Sequence, residues 1–169
     1  MGSGKSTIGP ILANTIGYDF TDIDHSIEER EGKSIKDIFR EAGEEHFRSL
    51  ERRVLSEVIG KKHLVISLGG GTIADPTNFQ SISSSGILVY LKTTPEQIYR
   101  RLHHKLDRPV LTDLRGEQLS TDELRARIQE LFARREPFYA RADIIIGTDE
   151  QRVGVTVDQI VRKLSPFLI

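Results

Sequence analysis

Short apolar runs alternate with helical stripes along the whole chain. Residues 64–68, 86–91 and 143–146 are rich in Val and Ile and bounded by Gly, Asp or Pro, the pattern of strands buried on both faces. A fourth run, 18–23, is weaker in pattern and ends in acids. Between these runs apolar residues recur at helical spacing, which predicts helices over 5–16, 35–41, 44–59, 95–103, 121–133 and 155–164, with Asp75 and Ser120 or Thr121 as caps. Such alternation argues for an α/β fold, a parallel sheet with helices on both faces. Residues 105–116 carry Pro109, Gly116 and several charges without periodicity, so they read as a mobile loop whose place between two helices suits a lid. The serine run 81–85 is the only low-complexity patch and reads as a connecting loop.

Composition narrows the picture. A chain of 169 residues is expected to form one domain, 1–169, able to bury a core without disulfides, and it has no cysteine to make one. The formal charge of −1 and the absence of any run of like charge speak against nucleic acid and anionic membranes as partners. Anionic ligands must then be held by local arginines. Nothing reads as a signal peptide or a bilayer-spanning stretch, so a cytoplasmic setting is expected. The five histidines lack metal-ligand spacing.

Three stretches carry candidate chemistry. Gly2-Ser3-Gly4-Lys5-Ser6-Thr7 is the second half of a P-loop, in which glycines let backbone N–H groups curl around phosphate oxygens at a helix N-terminus. In that reading Lys5 spans the β- and γ-phosphates and the Ser6 hydroxyl ligates Mg²⁺. A flexible Gly-Ser lead-in is the other reading, disfavoured by the helical spacing of Ile8, Ile11, Leu12 and Ile16 directly after it. The full motif has a further glycine and a feeding strand that would fall before Met1. The expectation is therefore that Met1 is an internal methionine, and that without the central strand two neighbours are left unpaired with apolar surface exposed. Pro10 is expected to remove one hydrogen bond from the first helix and to bend it.

Thr21-Asp22-Ile23-Asp24 places two carboxylates at alternate positions, on one side of an extended segment at its carboxyl end, where open α/β sheets bind ligands. Asp22 could serve Mg²⁺ and Asp24 could take the proton of an attacking hydroxyl; the alternative is turn chemistry, with Asp24 capping a helix over 26–31. Gly69-Gly70-Gly71 follows a buried run, which favours close backbone approach to a ligand over a plain tight turn. Arg48, Arg108 and Arg135 stand out from Arg52, Arg53, Arg100, Arg125 and Arg141, which read as solvated, by the residues around them.

The order of these motifs resembles the shikimate kinase family along essentially the whole chain. The match lies in the opening Gly-Ser-Gly-Lys-Ser-Thr, Asp22-x-Asp24, Phe47-Arg48-x-x-Glu51, Gly69-Gly70-Gly71, Arg108-Pro109-Val110-Leu111 and Arg135-x-Pro137-x-Tyr139, with Val110 where the family usually has leucine. The resemblance implies a P-loop NTPase fold whose sheet is five-stranded in the family and here lacks its first strand. It also implies a P-loop at 1–7, a shikimate-binding helical region at about 24–59 and a lid at about 105–117. By the same resemblance Asp24, Arg48, Gly70 and Arg135 bind shikimate, Ser6 and Asp22 serve one Mg²⁺ per subunit, and Gly2, Ser3, Gly4, Lys5, Ser6 and Thr7 cradle ATP. Arg108 is then a lid residue reaching the ATP phosphates, Gln151 a contact near the adenine, and Asp24, Lys5 and Arg108 the catalytic set. The implied reaction is ATP-dependent phosphorylation of the shikimate 3-hydroxyl, a step towards chorismate and the aromatic amino acids, by a cytoplasmic monomer. A gluconate or nucleoside monophosphate kinase of the same fold is the near rival, and a non-catalytic kinase-derived regulator the distant one.

Overall fold

The strand-like runs form two parallel pairs. The structure, a computed structural model, describes residues 2–102, 119–149 and 151–168. β1 (Asp19–Asp22) lies beside β2 (Leu64–Ser67), with Asp19 opposite Leu64, and β3 (Val89–Lys92) lies beside β4 (Ile144–Gly147), with Val89 opposite Ile144. Among the described residues no ladder joins β2 to β3, so each pair is a sheet of its own.

Parallel neighbours need long crossovers, which helices supply here. α1 (Lys5–Ile16) precedes β1; α2 (Ile23–Glu31) and α3 (Ile35–Val58) connect β1 to β2; α4 (Pro76–Ser83) connects β2 to β3. α5 (Pro95–Leu102) and α6 (Thr121–Tyr139) lie between β3 and β4, and α7 (Val153–Leu164) follows. Ile8 and Leu12 of α1 pack with Ile144, Ile146 and the α7 residues Val157 and Ile160. A second core joins Ile23 and Ile27 of α2 to Phe47 and Val54 of α3. Gly9 sits where a methyl would overlap the Phe20 ring, so glycine is what lets α1 lie against β1.

Several boundaries differ from expectation. β1 ends at Asp22 and α2 starts at Ile23, so the two acids are not on one extended segment. Asp22, not Asp24, is the cap, because its carboxylate reaches the free N–H groups of Asp24 and His25. α6 runs six residues past 133 to Tyr139 and carries Pro137 in its last turn, while Ser81–Ser83 belongs to α4 and not to a loop. The break between 41 and 44 is real: Gly43 has φ 80°, which interrupts α3. α1 continues through Pro10 to Gly17, its left-handed C-cap at φ 72°. Asp75 and Ser120 cap α4 and α6, the latter with Glu123 in a capping box. The proposed lid at 105–117, with Arg108 and Val110, lies outside the described residues.

Separating the pairs leaves β2 and β3 under-covered. Leu64, Val65, Ile66, Val89 and Tyr90 are only half-buried, although their composition suits strands enclosed on both faces. A cavity of about 360 Å³ lies between them, walled by Leu64, Ile66, Val89 and Leu91.

Candidate active site

The phosphate-binding loop is anchored at both ends. Gly4 takes φ 95°, a left-handed turn that points the first helical N–H groups outward, and its carbonyl accepts from Thr7 N (3.0 Å) and Ile8 N (2.9 Å). Arg101 of α5 clamps the other end, its Nη1 donating to the Gly2 carbonyl (3.0 Å) and its Nη2 to the Thr148 carbonyl (3.2 Å). Asp149 holds β3 and β4 together just beside it, accepting from Thr93 Oγ1 (2.5 Å) and Thr94 N (3.0 Å). Gln151 is exposed, two residues before α7.

Asp22 divides its two oxygens. Oδ1 accepts from Asp24 N (3.0 Å) and His25 N (3.3 Å), while Oδ2 accepts from Ser6 Oγ (3.4 Å). A hydroxyl and a carboxylate oxygen thus meet beside the start of α1. Two hard oxygens with the rest of the sphere open is the donor set Mg²⁺ takes when nucleotide phosphates and water complete its shell, so these residues fit the ion.

Across from this corner the other predicted residues surround the triple glycine. A Cβ on Gly69 would stand 2.8 Å from Asp24 Oδ1 and 2.7 Å from Glu51 Oε1, and one on Gly71 would stand 2.6 Å from both terminal nitrogens of Arg48. A side chain at Gly69 or Gly71 would therefore displace the polar side-chain ends that converge there. Glu51, 1% exposed, organises the crowd. Its Oε2 accepts from Arg48 Nη1 at 2.6 Å and its Oε1 accepts from Thr72 Oγ1. Burial opposes the Arg48 charge, but the Glu51 carboxylate, with help from Glu44, outweighs it and holds the guanidinium above its usual pKa.

Arg135 arrives from α6, which is tied to the same loop. Tyr139 Oη donates to the Gly70 carbonyl at 2.5 Å, and its ring lies 5.1 Å from Tyr90, whose hydroxyl donates to Glu136 at 3.0 Å. Burial raises the Tyr139 pKa against the opposing charge and hydrogen bond of Arg135; burial and then Glu136 raise that of Tyr90. Both phenols stay protonated and able to donate. Lys5, Gly69, Gly70, Arg135 and Tyr139 line one cleft of about 90 Å³. The arrangement can hold a phosphate chain on one wall and an anionic polyol on the other, with a carboxylate beside the gap.

A profile of the family described as shikimate kinase matches residues 1–165. The chain belongs to the shikimate kinase family. Shikimate kinases of Chlorobium phaeobacteroides and Chlorobaculum parvum are 47% and 48% identical to it, over 99% and 97% of this chain and 84% and 88% of their own lengths. Among solved structures, shikimate kinase from Bacteroides thetaiotaomicron superposes with a TM-score of 0.88 at 35% identity, covering 98% of this chain and 94% of that one. The enzyme from Acinetobacter baumannii, solved in complex with shikimate, also scores 0.88, at 32% identity and with 99% and 89% coverage. The chain thus has the α/β P-loop kinase fold and is an enzyme of the shikimate kinase type, a family of ATP-using kinases that generally need a divalent metal.

Within this family frame, the structure lines one cleft with Lys5, Gly70 and Arg135, brings Asp24 and Arg48 against the adjoining Gly69 and Gly71, and joins Ser6 to Asp22 beside the start of α1. Sequence reasoning assigned no role to Glu51, Thr72, Tyr139 or Arg101. An Arg48–Glu51 pair at helical spacing was a legible sign for the first. Arg101 adjoins Leu102 on the buried side of α5, whereas Arg100 pairs outward with Glu96.

Proposed function

We propose that this chain transfers the γ-phosphoryl group of ATP to the 3-hydroxyl of shikimate, giving shikimate 3-phosphate and ADP on the route to chorismate and the aromatic amino acids. The observation that carries this reading is the convergence of Asp24 and Arg48 on Gly69 and Gly71, with Lys5 and Arg135 in the adjoining cleft.

In this reading the Arg48 and Arg135 guanidiniums, planar forks of donors, grip the shikimate carboxylate and fix the ring. Asp24 takes the proton of the 3-hydroxyl as its oxygen bonds to the γ-phosphorus and the bond to the β–γ bridging oxygen breaks, leaving ADP. Gly2 to Thr7 cradle the phosphates, and Lys5 offsets charge that builds on them. Mg²⁺, held by Ser6 and Asp22, supplies charge neutralisation when bound. Arg108 reaches the phosphates from a lid at about 105–117, and Gln151 lies near the adenine. The working unit is one domain, 1–169, acting as a cytoplasmic monomer without nucleic-acid or membrane partners.

A coupled ADP-release assay with shikimate, gluconate or a nucleoside monophosphate as acceptor tests the assignment. Release that requires shikimate is expected; release with either other acceptor and not with shikimate overturns it.

A further inference from the structure

We infer that Glu44 is a stand-in for the substrate's carboxylate: it occupies one edge of the Arg48 guanidinium in the empty site and gives that edge up when an anionic ligand enters. This rests on the reading that Arg48 grips the shikimate carboxylate. Arg48 meets two acids in different ways. Glu51 Oε2 accepts from Nη1 at 2.6 Å, its side chain is 1% exposed, and its other oxygen accepts from Thr72 Oγ1, so it is fixed in place. Glu44 offers a single oxygen, Oε1, to both Nε (3.3 Å) and Nη2 (3.1 Å), and its side chain is 67% exposed. Nε and Nη2 form a side of the guanidinium whose parallel N–H groups match the two oxygens of a carboxylate. An edge suited to an incoming carboxylate is therefore already held by one.

That hold is weak. Both distances exceed the roughly 2.7–2.9 Å of a good charge-assisted bond, because one oxygen is shared between two donors. A ligand that sets one carboxylate oxygen on each nitrogen makes two shorter bonds in its place. Glu44 can also leave without being stranded. Gly43, at φ 80°, interrupts α3 directly before it, so Glu44 stands in the first turn of the segment that follows, in water and in the positive field of a helix start. Charge favours exchange over addition. Two carboxylates against one guanidinium leave this cluster net negative, and a third arriving while Glu44 stayed would meet repulsion. Binding at Arg48 thus swaps one carboxylate for another. Arg48 stays ordered in the empty site, and the observed shikimate affinity falls below the intrinsic one by the fraction of time Glu44 holds the edge.

Calorimetric titration of the full chain with shikimate tests the exchange. Glu44→Gln and Glu44→Ala are each expected to tighten shikimate binding by about two- to fivefold, the range in which a partly exposed ion pair acts, with the affinity for a non-hydrolysable ATP analogue little changed. Glu45→Gln, which removes the same charge from the neighbouring exposed position, is expected to tighten it clearly less. Unchanged or weaker shikimate binding in both Glu44 variants, or equal tightening by Glu45→Gln, would overturn the stand-in. Arg48→Lys separates this failure from failure of the underlying reading. If it weakens shikimate binding while the Glu44 variants do not tighten it, the stand-in alone falls; if it leaves shikimate affinity unchanged, the assignment of Arg48 to the carboxylate falls and the stand-in with it. A second readout follows the acid itself. With ¹³C-labelled glutamate, saturation with shikimate is expected to move the Glu44 carboxyl resonance more than that of Glu45, and an unmoved Glu44 contradicts its release.

Discussion

At the carboxyl ends of the strands, polar side chains crowd so closely that a Cβ on Gly69 would stand 2.7 Å from Glu51 Oε1, whereas Val65 and Val89, a few residues earlier on the same strands and their neighbours, border a cavity of about 360 Å³. One end is over-determined and the other is hollow. The difference teaches what holds the site. Arg48 is tied through Glu51 to Thr72, and the helix that carries Arg135 is tied through Tyr139 to the Gly70 carbonyl, while among the described residues no continuous ladder joins the two strand pairs beneath them. Buried polar networks of this kind specify geometry when every member is satisfied.

The contrast can be broken from either side. Asp24→Asn removes the proton acceptor and is expected to lower kcat by about 10²-fold or more while ATP affinity, read by calorimetry, stays almost unchanged. A loss below about tenfold would remove Asp24 from the base role. Gly71→Ala drives a methyl into the Arg48 guanidinium, and a rise in shikimate KM of roughly tenfold is expected, with ATP KM little altered. Tyr139→Phe deletes one hydrogen bond to the Gly70 carbonyl, about 1 kcal/mol, and should raise shikimate KM several-fold with only a small change in melting temperature. The hollow region predicts the opposite response. Val65→Leu adds a methylene beside the cavity and should change stability in urea by less than about 1 kcal/mol, where the same addition in a filled core costs about 1–3 kcal/mol.

Much of the architecture was legible because local signals agreed with one another. Val/Ile runs marked β2, β3 and β4, a weaker run ending in acids marked β1, the gap expected between 41 and 44 fell at the Gly43 break in α3, and Asp75 and Ser120 marked helix starts. Two failures have a common cause in competition between local rules. Asp22-Ile23-Asp24 read as extended because its acids alternate, but the Asp22 carboxylate captured two free N–H groups and started a helix one residue later. The helix expected over 121–133 runs on to Tyr139, since Pro137 in the last turn of α6 removes only one bond and Phe138 and Tyr139 gain contacts with Phe79 and Tyr90 by continuing.

Glu51 failed for a different reason. On its own helix it looks like the outward partner of Arg48, and its burial depends on Thr72, which the chain delivers from beyond β2. Residues brought together from distant segments leave no periodic trace. The triple glycine could be noticed from sequence, but its purpose, making room for Asp24, Glu51 and Arg48 at once, required the fold.

The central claim is that one cleft at the carboxyl ends of the strands holds both substrates. Titrating shikimate into the ¹⁵N-labelled chain in the presence of a non-hydrolysable ATP analogue tests it directly. The account predicts shifts at Gly69, Gly70 and Gly71, saturating together, with the analogue alone already shifting Gly4, Lys5 and Ser6. Shikimate-dependent shifts confined to any other surface, with the three glycine amides unmoved, would contradict it.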